Sequence, residues 1–274
     1  MTSPREAAGL TSPRQAAARA LARLPSDHTG AVVVSGRDPG LAAGFVDAAP
    51  ARAILAPSPA SRLAVAAGAA MAGRPTLAVL DQVHGVAAGP WDLGGPLVVL
   101  TDALAVAGAA HRAGTRVFQP AWATDVEPLL RAALARARPC CLFVHSGNSG
   151  DRPAGVEAPQ TRRPRVLAEG ETATVVTSGR LAAPVAAAAV SLAKRGVAVT
   201  VLELAALPAA GFPPEDADAG LLIGGPPRGA GHPLHGRSDL RWVAAPAAGA
   251  DAVADVLLGA LRATARPGPV DQQE

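Results

Sequence analysis

The sequence predicts an α/β protein built from two consecutive three-layer α/β/α domains with mainly parallel sheets. Strand-like apolar runs alternate with Ala-rich helical stretches along most of the chain. A segment rich in Gly, Pro, Ser and Arg interrupts this alternation at residues 146–165. The length of 274 residues and a hydrophobic content of 49% are enough for two cores of ordinary size. The expected parts are a helical N-terminal extension (1–25), a first domain (26–150), a linker (151–168), a second domain (169–266) and a disordered tail (267–274).

The first half has the order of helices and strands that a parallel sheet requires. Its first helix is predicted from Pro13 to Leu24, because Ser12 can cap the helix and proline suits the first helical position. The next predicted elements are a strand at 31–35, a helix at 61–72 ended by Gly73, strands at 76–80, 96–101 and 116–118, a helix at 125–138 capped by Thr124, and a strand at 140–145. Helices between parallel strands cover both faces of such a sheet.

The second half repeats the pattern on a smaller scale. Its predicted elements are a strand at 172–177, a helix at 181–195 ended by Gly196, a strand at 197–204, strands at 220–223 and 240–243, and a closing helix at 251–262.

Composition excludes several classes of partner. The net charge is +3, the densest basic run at 162–165 lies in the predicted linker, and aromatic residues do not interleave with the arginines, so no nucleic-acid partner is expected. The neighbouring Cys140 and Cys141 are interpreted as buried strand residues, because adjacent cysteines form a disulfide only under strain. The sequence shows no signal peptide and no membrane-length apolar run, so a cytoplasmic protein without a membrane partner is expected.

Particular segments of the second half are similar to a known family. The strand and Ser-Gly turn at 174–179, the Gly turn and strand at 194–204 and the Leu-Pro corner at 207–208 resemble the C-terminal domain of transketolase-like enzymes. This domain is shared by transketolases, deoxyxylulose-phosphate synthases and the β subunits of 2-oxoacid dehydrogenases. In the first half, residues 45–47, 66–73 and 118–120 resemble the pyrimidine-binding domain of the same family. The resemblance covers about residues 30–265 and implies thiamine diphosphate with Mg²⁺ as cofactors.

The resemblance places the family's catalytic glutamate at Pro59, counting back from Gly68. In the family that carboxylate hydrogen-bonds the aminopyrimidine ring nitrogen, so that the cofactor can form its reactive carbanion. Proline has no polar side chain, and the neighbouring Ser58 and Ser61 can hydrogen-bond but carry no charge. The cofactor-binding position is therefore expected at Ser58 and Pro59, without the usual acid.

The segment after the strand at 76–80 admits two alignments. In one, His84 takes the place of the aromatic residue that stacks on the aminopyrimidine in the family. In the other, Asp81 and Gln82 match an Asp-Gln pair of the family's next helix, and the aromatic loop is lost. Asp81, Gln82 and His84 are therefore all candidate cofactor-binding residues.

Histidines supply the remaining candidates. The run ending at His111 resembles a family loop whose histidine contacts substrate, so His111 is the candidate catalytic acid or base. His145 ends a predicted strand, where either a site role or a capping role is open. His232 and His235 have a spacing seen in metal sites, but without a third ligand no metal site is predicted.

The family's diphosphate-binding domain, with its Gly-Asp-Gly…Asn motif, has no counterpart in the sequence, where Asn148 is the only asparagine. The resemblance thus implies a β-type subunit of a split enzyme, inactive alone, that transfers or forms a ketol or acyl unit with a separate diphosphate-binding subunit. A heterotetramer or a β–β dimer is expected, in specialised metabolism. Two alternatives stay open: a catalytically degenerate scaffold or regulatory subunit, and a plain α/β binding module with only architectural similarity.

Overall fold

A computed structural model describes residues 12–80, 91–147, 149–207, 220–224, 241–244 and 250–265. The chain forms two compact units. The first unit comprises residues 1–164 together with 178–180 and 204–218, and the second comprises 165–177, 181–203 and 219–274. The predicted tail at 267–274 lies outside the described residues. No described helix is long and apolar enough to cross a membrane.

Twelve strands and seven α-helices are found in the described part of the chain. The strands are β1 Val32–Ser35, β2 Ala53–Leu55, β3 Thr76–Leu80, β4 Leu97–Thr101, β5 Arg116–Phe118, β6 Cys140–Phe143, β7 Arg165–Ala168, β8 Ala173–Thr177, β9 Val199–Glu203, β10 Ala206–Leu207, β11 Gly220–Gly224 and β12 Arg241–Ala244. The helices are α1 Pro13–Asp27, α2 Ala43–Ala48, α3 Pro59–Met71, α4 Leu104–Arg112, α5 Val126–Leu134, α6 Ala182–Ala193 and α7 Ala250–Ala265.

The first unit is built on a seven-stranded sheet in the order β10-β5-β6-β4-β3-β1-β2. Every neighbouring pair is parallel except β10 and β5, which are antiparallel. The central strands β3, β4 and β6 are buried along their whole length, as expected for a parallel sheet covered by helices on both faces. This sheet confirms the predicted α/β fold class.

Helix α1 belongs to the core of the first unit. Ser12 caps it through a reciprocal pair of hydrogen bonds with Gln15, and the helix begins at Pro13 as predicted. Leu21 is fully buried and joins the cluster that contains Phe45 and Leu129. The segment expected to be an extension therefore helps to cover the sheet.

The predicted cap at Thr124 is wrong. A short 3-10 turn at 123–125 precedes α5, and no side chain caps that helix. The Thr124 hydroxyl instead accepts a hydrogen bond from the Arg152 backbone N–H at 3.0 Å. The Arg152 guanidinium also pairs with the buried Asp125 carboxylate at 2.8 Å. A partner distant in sequence has replaced the local capping bond.

The second unit has a mixed sheet in the order β12-β11-β8-β9-β7, in which β8 and β9 are parallel and the other three neighbouring pairs are antiparallel. The prediction of a mainly parallel sheet is therefore wrong for this unit, because β7, β11 and β12 run against their neighbours. Its core is an apolar cluster formed by these strands with α6 and α7, including Val185, Leu192 and Leu257. A buried ion pair joins Arg165 of β7 to Glu203 of β9 at 3.1 Å, with both side chains almost fully enclosed.

Both cysteines are free and buried in β6, which confirms their interpretation as strand residues. Burial raises the pKa of the Cys140 thiol to about 12, and it raises the pKa of Cys141 as well. Both side chains are therefore neutral thiols that pack as small apolar groups.

Candidate functional site

The carboxyl ends of the parallel strands in the first unit form the candidate site. Ligands of open α/β sheets bind beyond this edge. Polar residues at or just after these strand ends, in the described part of the chain, include Ser35 (β1), Ser58 (β2), Thr101 and Asp102 (β4), Gln119 (β5) and His145 (β6).

Ser58 and Pro59 begin helix α3. The Ser58 hydroxyl accepts a hydrogen bond from the Ser61 backbone N–H at 3.1 Å, and the Ser61 hydroxyl accepts one from the Ser58 N–H at 3.0 Å. Pro59 occupies the first turn, where a missing N–H costs nothing. The first turn of α3 contains no acidic residue. The local sequence is thus that of a helix start, and both serine hydroxyls are used in capping it.

A cation occupies this end of α3 instead of an acid. The Arg62 guanidinium donates to the backbone oxygen of Ala56 just after β2 and to that of Val79 in β3, each at 3.3 Å. Gly36 follows β1, and a Cβ there would collide with the Arg62 guanidinium, so glycine permits this close approach. Arg62 therefore lies beside the carboxyl ends of β1, β2 and β3.

The described residues of this edge do not fit the aminopyrimidine of thiamine diphosphate. The ring nitrogen needs a carboxylate as its hydrogen-bond partner. Pro59 has no polar side chain, and the Arg62 guanidinium is a cation that cannot accept a hydrogen bond. Asp38 follows β1, but it is exposed and its carboxylate accepts from the Gly40 N–H at 3.4 Å. Asp81, Gln82 and His84, the other predicted cofactor-binding residues, lie outside the described residues.

A second polar group lies at the ends of β4, β5 and β6. The Ser178 hydroxyl hydrogen-bonds the Gln119 side-chain oxygen at 3.1 Å, and both are buried. His145 is 7% exposed. Burial, reinforced by the charge of Arg180, lowers the pKa of His145 to about 4, although the peptide groups of Pro120 and Gly147 partly oppose the shift. A neutral imidazole and polar side chains are therefore enclosed together.

Arg14 links the N-terminal helix to the same edge. Its Nε donates to the Asp102 carboxylate at 2.9 Å, and its backbone N–H donates to the His145 carbonyl oxygen at 3.3 Å. Helix α1 thus holds the ends of β4 and β6 in place.

The structure does not bring His111 to Ser58 and Pro59. His111 lies in the last turn of α4, which starts after the carboxyl end of β4 and ends before the amino end of β5. It is partly buried, and its Nδ1 has no hydrogen-bond partner among the described residues. By topology His111 belongs to the opposite edge of the sheet, so its catalytic role stays a prediction without support from this placement. His232 and His235 lie outside the described residues.

Sequence reasoning missed Arg62, Gln119 and Ser178. Gln119 immediately follows a predicted strand, so the rule that sites lie at strand ends could have found it. Ser178 also follows a predicted strand, at 172–177, but that strand belongs to the second predicted domain, so the rule does not connect Ser178 with Gln119. Arg62 gave no such signal, because its proximity to the edge depends on how helix α3 packs.

No family model and no curated protein matches the chain. Among solved structures, a split-gene transketolase described as an inactive beta4 tetramer is 21% identical, with a TM-score of 0.61 over 73% of each chain.

Two further structures have the same fold. A transketolase from Leishmania mexicana is 15% identical with a TM-score of 0.58, over 71% of this chain and 34% of that one. A variant transketolase from Pichia stipitis is 15% identical with a TM-score of 0.57, over 73% of this chain and 35% of that one. The chain thus matches about a third of these two proteins. The element order and these likenesses together show that the chain has a transketolase-like fold.

Proposed function

We propose that the chain is a β-type, pyrimidine-domain subunit of a split transketolase-like enzyme. In the proposed complex, a separate subunit binds the diphosphate of thiamine diphosphate with Mg²⁺, and the complex transfers or forms a ketol or acyl unit. The observation that carries the proposal is the succession of a unit with a mainly parallel seven-stranded sheet and a smaller α/β unit, matched to a split-gene transketolase over 73% of both chains.

A catalytically degenerate scaffold or regulatory subunit is the second candidate. The described carboxyl edge supports it, because Pro59, where the resemblance places the family's carboxylate, starts a helix, and the charged group beside that helix start is the Arg62 guanidinium. Such a subunit would keep the assembly surface of the fold and lose the chemistry.

Co-purification from the native host tests both candidates. The expected result is a complex with a chain that carries the Gly-Asp-Gly…Asn motif, with thiamine diphosphate present only in the complex. Turnover of a ketose or 2-oxoacid by that complex supports the enzyme, whereas a cofactor-loaded complex without turnover supports the scaffold. A stable monomer that binds no such chain contradicts both.

A matched pair of variants sharpens the distinction. In the enzyme, Arg62→Met is expected to lower turnover of the complex by about tenfold, because the hydrogen bonds that hold Ala56 and Val79 at the ends of β2 and β3 are lost. Arg74→Met removes an exposed arginine just before β3 and serves as the control. Equal activities of the two variants would show that Arg62 takes no part in turnover.

A further inference from the structure

A cavity of about 560 Å³ lies in the first unit at the edge opposite the candidate site. It opens where β4, β5 and β6 begin, and its volume is in the range of small-molecule sites. The lining residues that matter here are Trp91, Asp92, Arg116, Arg136, Arg138 and Pro139.

The cavity is strongly cationic. Among the described residues that line it, three are arginines and one, Asp92, is acidic. No salt bridge joins Arg116, Arg136 or Arg138 to any residue in the described part of the chain. Burial lowers the pKa of Arg116, and the neighbouring charges of Arg136 and Arg162 lower it further.

The cavity also has hydrogen-bond donors that lack acceptors. The Nε atom of Arg136 and the Nε1 atom of Trp91 are buried without a partner in the described structure. One Nη atom of Arg116 donates to the Thr161 carbonyl oxygen at 3.1 Å. The other N–H groups of this guanidinium can therefore donate to a ligand. Buried donors without acceptors are costly, so an acceptor-rich ligand would relieve that cost.

We propose that this cavity binds a small organic phosphate. Three guanidiniums against one carboxylate leave two positive charges, which match the charge of −1.5 to −2 that a phosphate monoester carries near pH 7. Guanidinium forks suit phosphate oxygens geometrically, and the Trp91 and Pro139 side chains provide an apolar wall for the organic part. The site is separate from the carboxyl edge and does not depend on the proposed function.

Calorimetric titration of the full chain tests the proposal, with phenyl phosphate, inorganic phosphate and succinate as probes. Phenyl phosphate is expected to bind most tightly and inorganic phosphate more weakly, because the latter lacks a group for the apolar wall. Succinate binding as tight as that of phenyl phosphate overturns the assignment to phosphate, and the absence of phenyl phosphate binding at millimolar concentration overturns the site.

Substitutions locate the binding. Arg136→Gln and Arg138→Gln are each expected to raise the Kd for phenyl phosphate about tenfold, and Trp91→Phe to raise it a few-fold while keeping the ring. Arg138 is exposed, so its substitution leaves the fold intact. Arg74→Gln, an exposed arginine near the same edge that does not line the cavity, is expected to change the Kd by less than about twofold. An equal loss for Arg74→Gln and Arg138→Gln would show binding to net charge alone.

Discussion

At the scale of single residues, His145 makes the stability of the first unit depend on pH. Its pKa is about 4 in the fold against an ordinary value of 6.5, so between these values the unfolded chain binds the proton more readily. Stability contributed by His145 is therefore complete above pH 6.5 and is lost as the pH falls toward 4, by on the order of 3 kcal/mol. Urea denaturation at a series of pH values measures this.

The variant His145→Gln isolates that contribution. Glutamine cannot titrate, so its unfolding free energy is expected to change less than the wild type's between pH 6.5 and 4. His28→Gln, at the C-cap of helix α1, is the control. Parallel pH profiles for wild type and His145→Gln would contradict the prediction.

Residue chemistry at the candidate site was only partly predictable. The resemblance places the family's carboxylate at Pro59, counting back from Gly68, and the proline there was visible in the sequence. That Arg62 lies beside three strand ends was not, because its hydrogen bonds reach residues 6 and 17 positions away. The burial that shifts the pKa of His145 also arises only when the strands are assembled.

At the scale of elements, the ion pair of Arg165 and Glu203 joins the edge strand β7 to β9. Both partners are buried, so removing one leaves an uncompensated charge. Arg165→Met is expected to lower the unfolding free energy of the second unit by about 3–5 kcal/mol, as measured by denaturation followed by circular dichroism.

The exposed pair of Arg195 and Asp255 is the matched control. Its atoms are 2.8 Å apart, but its side chains are 44% and 69% exposed. Asp255→Asn is expected to change stability by less than about 1 kcal/mol. Similar losses for Arg165→Met and Asp255→Asn would contradict the argument from burial.

Elements with strong local signals were predicted well. Helix α1 begins at Pro13 after its Ser12 cap as predicted, and the predicted helix ends Gly73 and Gly196 stand just past α3 and α6 with positive φ. Helix α3 begins at Pro59 after a Ser58 cap, before its predicted start at 61. The short elements α2, β2, β7 and β10 were not predicted. β2 has three residues, two of them exposed, and β10 has two, so neither has enough residues for a pattern to appear.

At the scale of the whole molecule, the first unit is not continuous in sequence. β10 pairs with β5, and the Ala205 carbonyl oxygen accepts from the Gln119 N–H at 2.9 Å. A fragment of residues 1–164 leaves β5 as an unpaired edge, so it is expected to unfold at lower urea concentration than the first unit of the full chain and to aggregate more readily.

A fusion separates this effect from truncation in general. Joining residues 204–207 to Pro164 through a flexible Gly-Ser linker returns the strand and is expected to raise the unfolding midpoint of the fragment. If the fragment and the full chain unfold at the same urea concentration, β10 contributes nothing to the first unit.

The sequence by itself determined the α/β class and the helix start at Ser12, and it shows a proline instead of an acid at position 59. Each of these depends on periodicity or spacing within a few residues. Only the tertiary structure decided that Arg62 lies at the carboxyl edge and that Arg116, Arg136 and Arg138, well separated in sequence, line one cavity. The physical reason is that charge crowding and desolvation depend on which strands are neighbours, and the order β5-β6-β4 departs from the order of the chain.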